Sequence, residues 1–148
     1  MSGHHPTQRY RQVQIETAAK DDLLLLLLDG GVRFAEGARL ELEKGAEGEA
    51  DRRHDQLVRA QKIVLELMGA LSPAIGLELF QRLQSLYQFT FTRFFEGNIE
   101  GDIVKIDEGI QVLRQIRDMW REAVEKARRE KQSPVSKPPA SSTFSVQG

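Results

Sequence analysis

Cysteine is absent from the 148 residues, which removes disulfide frameworks, thiolate nucleophiles and cysteine-ligated zinc or iron–sulfur sites together. Histidine occurs three times, and His4 and His5 sit near the N-terminus, so the repertoire for metal binding and acid–base chemistry is narrow. Neither sign of charge dominates: 21 Lys+Arg face 22 Asp+Glu, a formal net charge of -1. A dedicated nucleic-acid binder draws its affinity from a basic face that neutralises phosphates, and this balance argues against one. The longest apolar run, Leu23 to Leu28, is six residues, against about 20 for a membrane span. No basic stretch followed by an apolar segment marks a secretory signal. The expectation is a cytoplasmic chain with no nucleic-acid and no membrane partner.

What is present reads as helix. Forty per cent of residues are apolar and 29% charged, an ordinary balance for a folded domain. Prolines are few (Pro6, Pro73, Pro134, Pro138, Pro139), and between the first three nothing forces the chain out of a helix. Apolar residues recur near the 3.6-residue period in four stretches. These are residues 21–44, 51–71, 73–96 and 102–130. The first ends at Gly45, Asp51 can cap the second, and Ser72-Pro73 starts the third. Gly97-Asn98 should end the third, and Asp102 opens the fourth. Short connections between long helices predict an all-α fold, an antiparallel up-down four-helix bundle over residues 21–130. Residues 1–9 read as a flexible start. Residues 10–20 read as an extended N-terminal arm, because Tyr10, Val13 and Ile15 show no helical stripe. Residues 131–148, rich in Ser and Pro, cannot bury enough surface to offset their ordering entropy and read as a disordered tail.

No catalytic constellation accompanies this pattern. His54 stands among charged residues at a helix start and reads as a solvated first-turn residue. The Glu-x-x-His ligands of a di-iron bundle do not occur, nor do the glycine-rich phosphate loops or a nucleophile elbow. Asp21/Asp22 and Glu41/Glu43 read as helix-start and solvent-face charges. Lys126, Arg128, Arg129 and Lys131 oppose the negative end of a helix dipole. The chain is not expected to be an enzyme, and no catalytic, cofactor-binding or metal-ligating residues are assigned.

The unusual feature is surplus apolar surface. A core-facing helix needs about three apolar residues in seven, yet Leu23 to Leu28 are leucine throughout. Phe80, Phe89, Phe91, Phe94 and Phe95, with Leu86 and Tyr87, exceed one stripe in the third helix, and Val58 and Leu65 flank the main stripe of the second. Such a surplus marks a partner site, unless the faces cover one another or are buried in a homodimer. The extended arm could lie across the first helix as a lid. Gly30 and Gly31 inside a helix imply close approach of another backbone, or a bend; the sequence leaves both open.

These residues resemble the FliS family of flagellar export chaperones. The resemblance begins with Tyr10-x-x-Val-Gln-Ile-Glu-Thr-Ala and continues through the leucine run into Leu-Leu-Asp-Gly-Gly-Val-Arg-Phe. It resumes at Arg59-Ala-Gln-Lys-Ile-Val-Leu-Glu-Leu-Met and Leu86-Tyr87, and closes with Gly97-Asn98 and Trp120. This chain has Leu27-Leu28 where the family usually has Leu-Tyr. The resemblance implies a cytoplasmic chaperone that holds the C-terminal segment of flagellin, disordered when free, in hydrophobic grooves until export. It implies flagellin as partner, with a flagellar export-gate component or a co-chaperone as further partners, and leaves monomer and dimer open. Under it, Tyr10, Val13 and Ile15 belong to the arm, and Leu23, Leu26, Leu27, Val58, Leu65, Tyr87 and Phe91 are candidate groove contacts. Asn98, from the matching Gly-Asn pair, joins the partner-binding set. The reading from another class is a self-associating structural bundle without a flagellin client.

Overall fold

The computed structural model describes residues 6–132. Residues 1–5 of the expected flexible start, and all of the expected tail beyond Gln132, lie outside the described residues. Four helices account for most of the rest: α1 (Pro6–Glu43), α2 (Ala50–Ala70), α3 (Leu77–Glu100) and α4 (Ile103–Lys131). Single 3-10 turns, Gly45–Glu47 and Pro73–Ile75, sit in the first two connections. Among the described residues there is no strand. The chain divides into two compact units after Arg117. In the second, α4 runs on as helix to Lys131, with Arg128, Arg129 and Lys131 in its last turn.

Within the first unit, side-chain contacts fix the helix directions. Gly31 and Gly37 of α1 meet Ile63 and Gln56 of α2, so rising numbers on one helix meet falling numbers on the other. Asp29 and Arg39 of α1 pair with Arg117 and Asp107 of α4, again in opposite order. Arg93 and Glu96 of α3 pair with Glu108 and Lys105 of α4. Each helix is therefore antiparallel to its neighbour, which is the up-down bundle the sequence pattern predicts.

The core follows three-and-four spacing on every helix. Leu28, Val32, Ala35 and Ala38 of α1 face Leu57, Ala60, Val64 and Leu67 of α2 together with Leu83, Tyr87, Thr90 and Phe94 of α3. Ile106, Ile110, Leu113 and Ile116 supply the α4 side. Full burial of a leucine-sized side chain contributes roughly 1.5–3 kcal/mol, so these positions carry most of the folding free energy. The glycine pair of α1 serves close approach, not a bend, because the helix continues through it. A methyl group on Gly31 would stand 2.9 Å from Leu113 and 3.3 Å from Ile63.

Helix ends depart from the expected residues in instructive ways. Ser72 accepts a hydrogen bond from the Ala74 N–H, but the turn it caps is the short one at Pro73–Ile75. Gly76, at φ 109°, separates that turn from α3. The third helix does not stop at Gly97-Asn98. Gly97 is packed against Ile106, where a side chain would meet Cγ1 at 2.6 Å. The left-handed residue that ends α3 is Gly101, at φ 66°. Asp102 opens α4 as expected, its Oδ1 accepting from the Val104 N–H at 3.0 Å.

The start of α2 is held by Glu41, not by Asp51. Its buried carboxylate accepts from the Glu49 N–H at 2.9 Å, with Lys44 at 3.3 Å and Arg52 at 3.9 Å. The Glu49 hydrogen bond holds the carboxyl below its ordinary range; burial opposes this, while Lys44 and Arg52 add to it. A depressed carboxyl stabilises the fold in full above the ordinary glutamate value of 4.5, and that contribution disappears as pH falls through the folded-state value. Urea unfolding against pH should therefore show Glu41→Gln less stable than the parent at neutral pH, with a shallower loss of stability below pH 4.5.

The structure overturns the extended arm, and with it residues 6–9 of the expected flexible start, which are helical too. Residues 10–20 are helical and form the first turns of a 38-residue α1. Pro6 occupies the start, where its missing N–H costs nothing, and Arg, Gln, Glu, Ala and Lys between it and Leu23 favour helix. Tyr10 and Val13, three residues apart, are one turn of helix, not strand alternation.

Candidate functional site

The leucine run resolves by direction around α1. Leu28 points into the core and is fully buried, Leu24, Leu25 and Leu27 are half-buried, and Leu23 and Leu26 are exposed. Leu26 leaves 67% of its surface open. Ile15, Ala19, Leu23 and Leu26 follow helical spacing along the outward face. Tyr10, Val13 and Thr17 extend the core-facing stripe of Leu24 and Leu28 toward the N-terminus, where it is exposed. The outer leucines are not shielded by an extended arm, because the arm is their own helix.

A second apolar tract runs beside the α2–α3 seam. Asn98 Nδ2 lies 2.9 Å from His54 Nδ1. An amide nitrogen only donates, so in this pair Nδ1 is the acceptor. Arg53 reaches the Asn98 carbonyl at 3.4 Å. His54, Val58 and Leu65 fall on one side of α2 at intervals of four and seven residues, as Asn98 and Phe91 do on α3. Antiparallel pairing then carries Val58 and Leu65 toward the stretch of α3 that holds Phe91. Leu65 is exposed, while Val58 and Phe91 are half-buried.

Two nominated residues leave this surface. Tyr87 is completely buried and belongs to the core of α3, since its register matches Leu83, Thr90 and Phe94. Asn98 is also buried, its amide engaged by His54 and its carbonyl by Arg53, so it ties α3 to α2. The sequence reading of His54 as merely solvated missed this bond; a polar residue four positions before Val58 on the same side was the available signal.

Charge is concentrated on the seams of α4. Toward α1 stand Arg39–Asp107, Glu36–Arg114 and Asp29–Arg117. Toward α3 stand Arg93–Glu108 at 3.1 Å, and Lys105 with Glu100 at 3.0 Å and Glu96 at 3.3 Å. A cleft of about 560 Å³ between α1 and α4 is walled by Glu36, Arg39, Asp107 and Arg114, with Leu40 and Ile110. None of the nominated residues lines it. Among the described residues, no group of three His, Asp or Glu side chains gathers as a metal site. No described helix is long and apolar enough to cross a membrane. What the surface offers chemically is apolar contact along two helical tracts.

Residues 3–127 match the family model described as flagellar protein FliS. The chain is 27% identical over 131 residues to the flagellar secretion chaperone FliS of Bacillus subtilis, covering 88% of this chain and 95% of that one. It is 31% identical over 126 residues to the protein of the same description from Salmonella typhimurium, covering 80% and 89%. The flagellar secretion chaperone FliS of Escherichia coli is 26% identical over 123 residues, covering 80% and 88%. Matched along nearly the whole of its described helices, the chain belongs to the FliS family of flagellar secretion chaperones.

Proposed function

We propose that this chain binds the C-terminal segment of flagellin in the cytoplasm, preventing premature polymerisation and keeping the client competent for export. The observation that carries the reading is the exposure of Tyr10, Val13, Ile15, Leu23, Leu26 and Leu65, each more than half open to solvent. A soluble carrier gains nothing from large apolar groups in water, whereas a client that lacks its own core supplies the missing cover. A chain that folds on its carrier gives up ordering entropy at that moment and needs a long contact surface in return. α1 offers a stripe of several turns and the α2–α3 side offers Val58, Leu65 and Phe91, so an extended or helical client can follow one tract and then the other. Covering the segment also hides the surfaces through which subunits would otherwise join a filament.

The test is co-purification with full-length flagellin and with flagellin lacking its last forty or so residues, a length able to wrap a domain. The full-length client should be retained and the truncated one lost. Equal retention of both, or of neither, would refute the proposal; a tight constitutive dimer that ignores flagellin would point to self-association instead.

A further inference from the structure

Arg33 lies on the exposed side of α1, seven residues after Leu26 and seven before Leu40. The three therefore share one helix face, and both leucines are more than half exposed. Helical spacing places two carboxylates beside Arg33, Asp29 four residues back and Glu36 three ahead. Both are engaged on α4, Asp29 facing Arg117 at 3.8 Å and Glu36 paired with Arg114. The Arg33 guanidinium instead stands 5.6 Å from the centre of the half-buried Phe34 ring, and Arg59 of α2 approaches the same ring at 5.6 Å. Asp55 and Glu66 are the acids nearest in sequence on the outer side of α2, and neither forms an ion pair with Arg33 or Arg59. Two cations thus converge on one aromatic ring without a carboxylate between them. Contact with a ring face leaves the guanidinium N–H edges free to donate, and that edge matches a carboxylate in bidentate fashion.

We propose that Arg33 and Arg59, flanking Phe34, hold an acidic side chain of the client polypeptide. The inference rests on the client reading above and refines it. Leu26 and Leu40 lie about 10 Å to either side of Arg33 along the helix, so the outer face of α1 selects a segment with a carboxylate between apolar residues. Continuity with the Leu23–Leu26 tract on the same helix points to the same occupant. The two cations then add selectivity and orientation to an apolar surface that by itself would discriminate little.

The experiment measures binding of a labelled flagellin C-terminal peptide to the full chain by fluorescence anisotropy, at low and at high salt. R33Q combined with R59Q should weaken binding about tenfold and remove most of its salt dependence. The same loss should follow when the peptide's Asp and Glu are replaced by Asn and Gln and the chain is left unaltered, which separates lost charge from a damaged fold. If that acid-free peptide, or the folded double variant, binds with unchanged affinity and salt dependence, the proposal is overturned. A loss of binding on Leu26→Asp in the same experiment would leave the client reading standing; absence of any binding by the unaltered chain would overturn both.

Discussion

Replacing Leu23 and Leu26 together by Asp should cut affinity for the flagellin C-terminal segment by about a hundredfold while the thermal unfolding midpoint moves by no more than a few degrees. The separation of the two effects follows from exposure. Both side chains leave more than half of their surface in water, so removing them takes little from the core. In a complex the same groups would be anchors. A buried leucine is worth roughly 1.5–3 kcal/mol, and a carboxylate sealed without a partner adds a further penalty. Hydrophobic truncations at the centre of an interface reach losses of about 2–4 kcal/mol each, and two neighbouring sites need not add. Titration with the peptide, alongside circular dichroism melting of the free variants, measures both quantities. A double variant that binds as tightly as its parent while remaining folded would remove the outer face of α1 from the client site. Leu65→Asp tests the α2–α3 tract by the same logic, since Leu65 is also more than half exposed.

Phe94→Ala should be the most damaging single change to stability, costing about 3–5 kcal/mol. Phe94 is completely buried, and its ring fills the space that a side chain at Gly109 would occupy, with Cε1 2.6 Å from the position of a Cβ there. The complement is Gly109→Ala, which forces a methyl group against that ring and should cost about 1–3 kcal/mol. Combining Gly109→Ala with Phe94→Leu, which vacates part of the ring volume, should cost less than the sum of the two single changes. Non-additivity of this kind is the signature of groups in direct contact. Urea unfolding of the four chains closes the cycle, and strict additivity would contradict the α3–α4 packing described above.

The helical class and the antiparallel order were legible because apolar periodicity and chain punctuation agree over long stretches. α2 and α4 start and end within a residue or two of the positions that pattern implies. The failures share a cause: a local signal was read without its tertiary partner. Gly97 looked like a helix end, but its smallness serves the approach of Ile106, and the helix runs on to Gly101. Asp51 looked like a cap, yet Glu41, ten residues earlier, reaches across to the Glu49 amide. The surface was legible only as an excess. Six leucines in a row reveal that some must face outward, but a rotation of one residue exchanges inside for outside. The same ambiguity affects Tyr87 among the aromatics of the third helix, and Asn98 enters only through the resemblance; packing against the other helices places both inside. The paired cations around Phe34 could not be seen at all, since Arg33 and Arg59 lie on different helices and nothing in their spacing announces a shared ring.

An uninterrupted α1 of 38 residues is about 57 Å of rod, against about 32 Å for the 21 residues of α2. Its leading turns borrow nucleation from the packed section behind them, since a free peptide of that length would scarcely hold its shape in water. Those leading turns lack the packing that holds Leu28 and Gly31, so they are the least costly part of α1 to unravel.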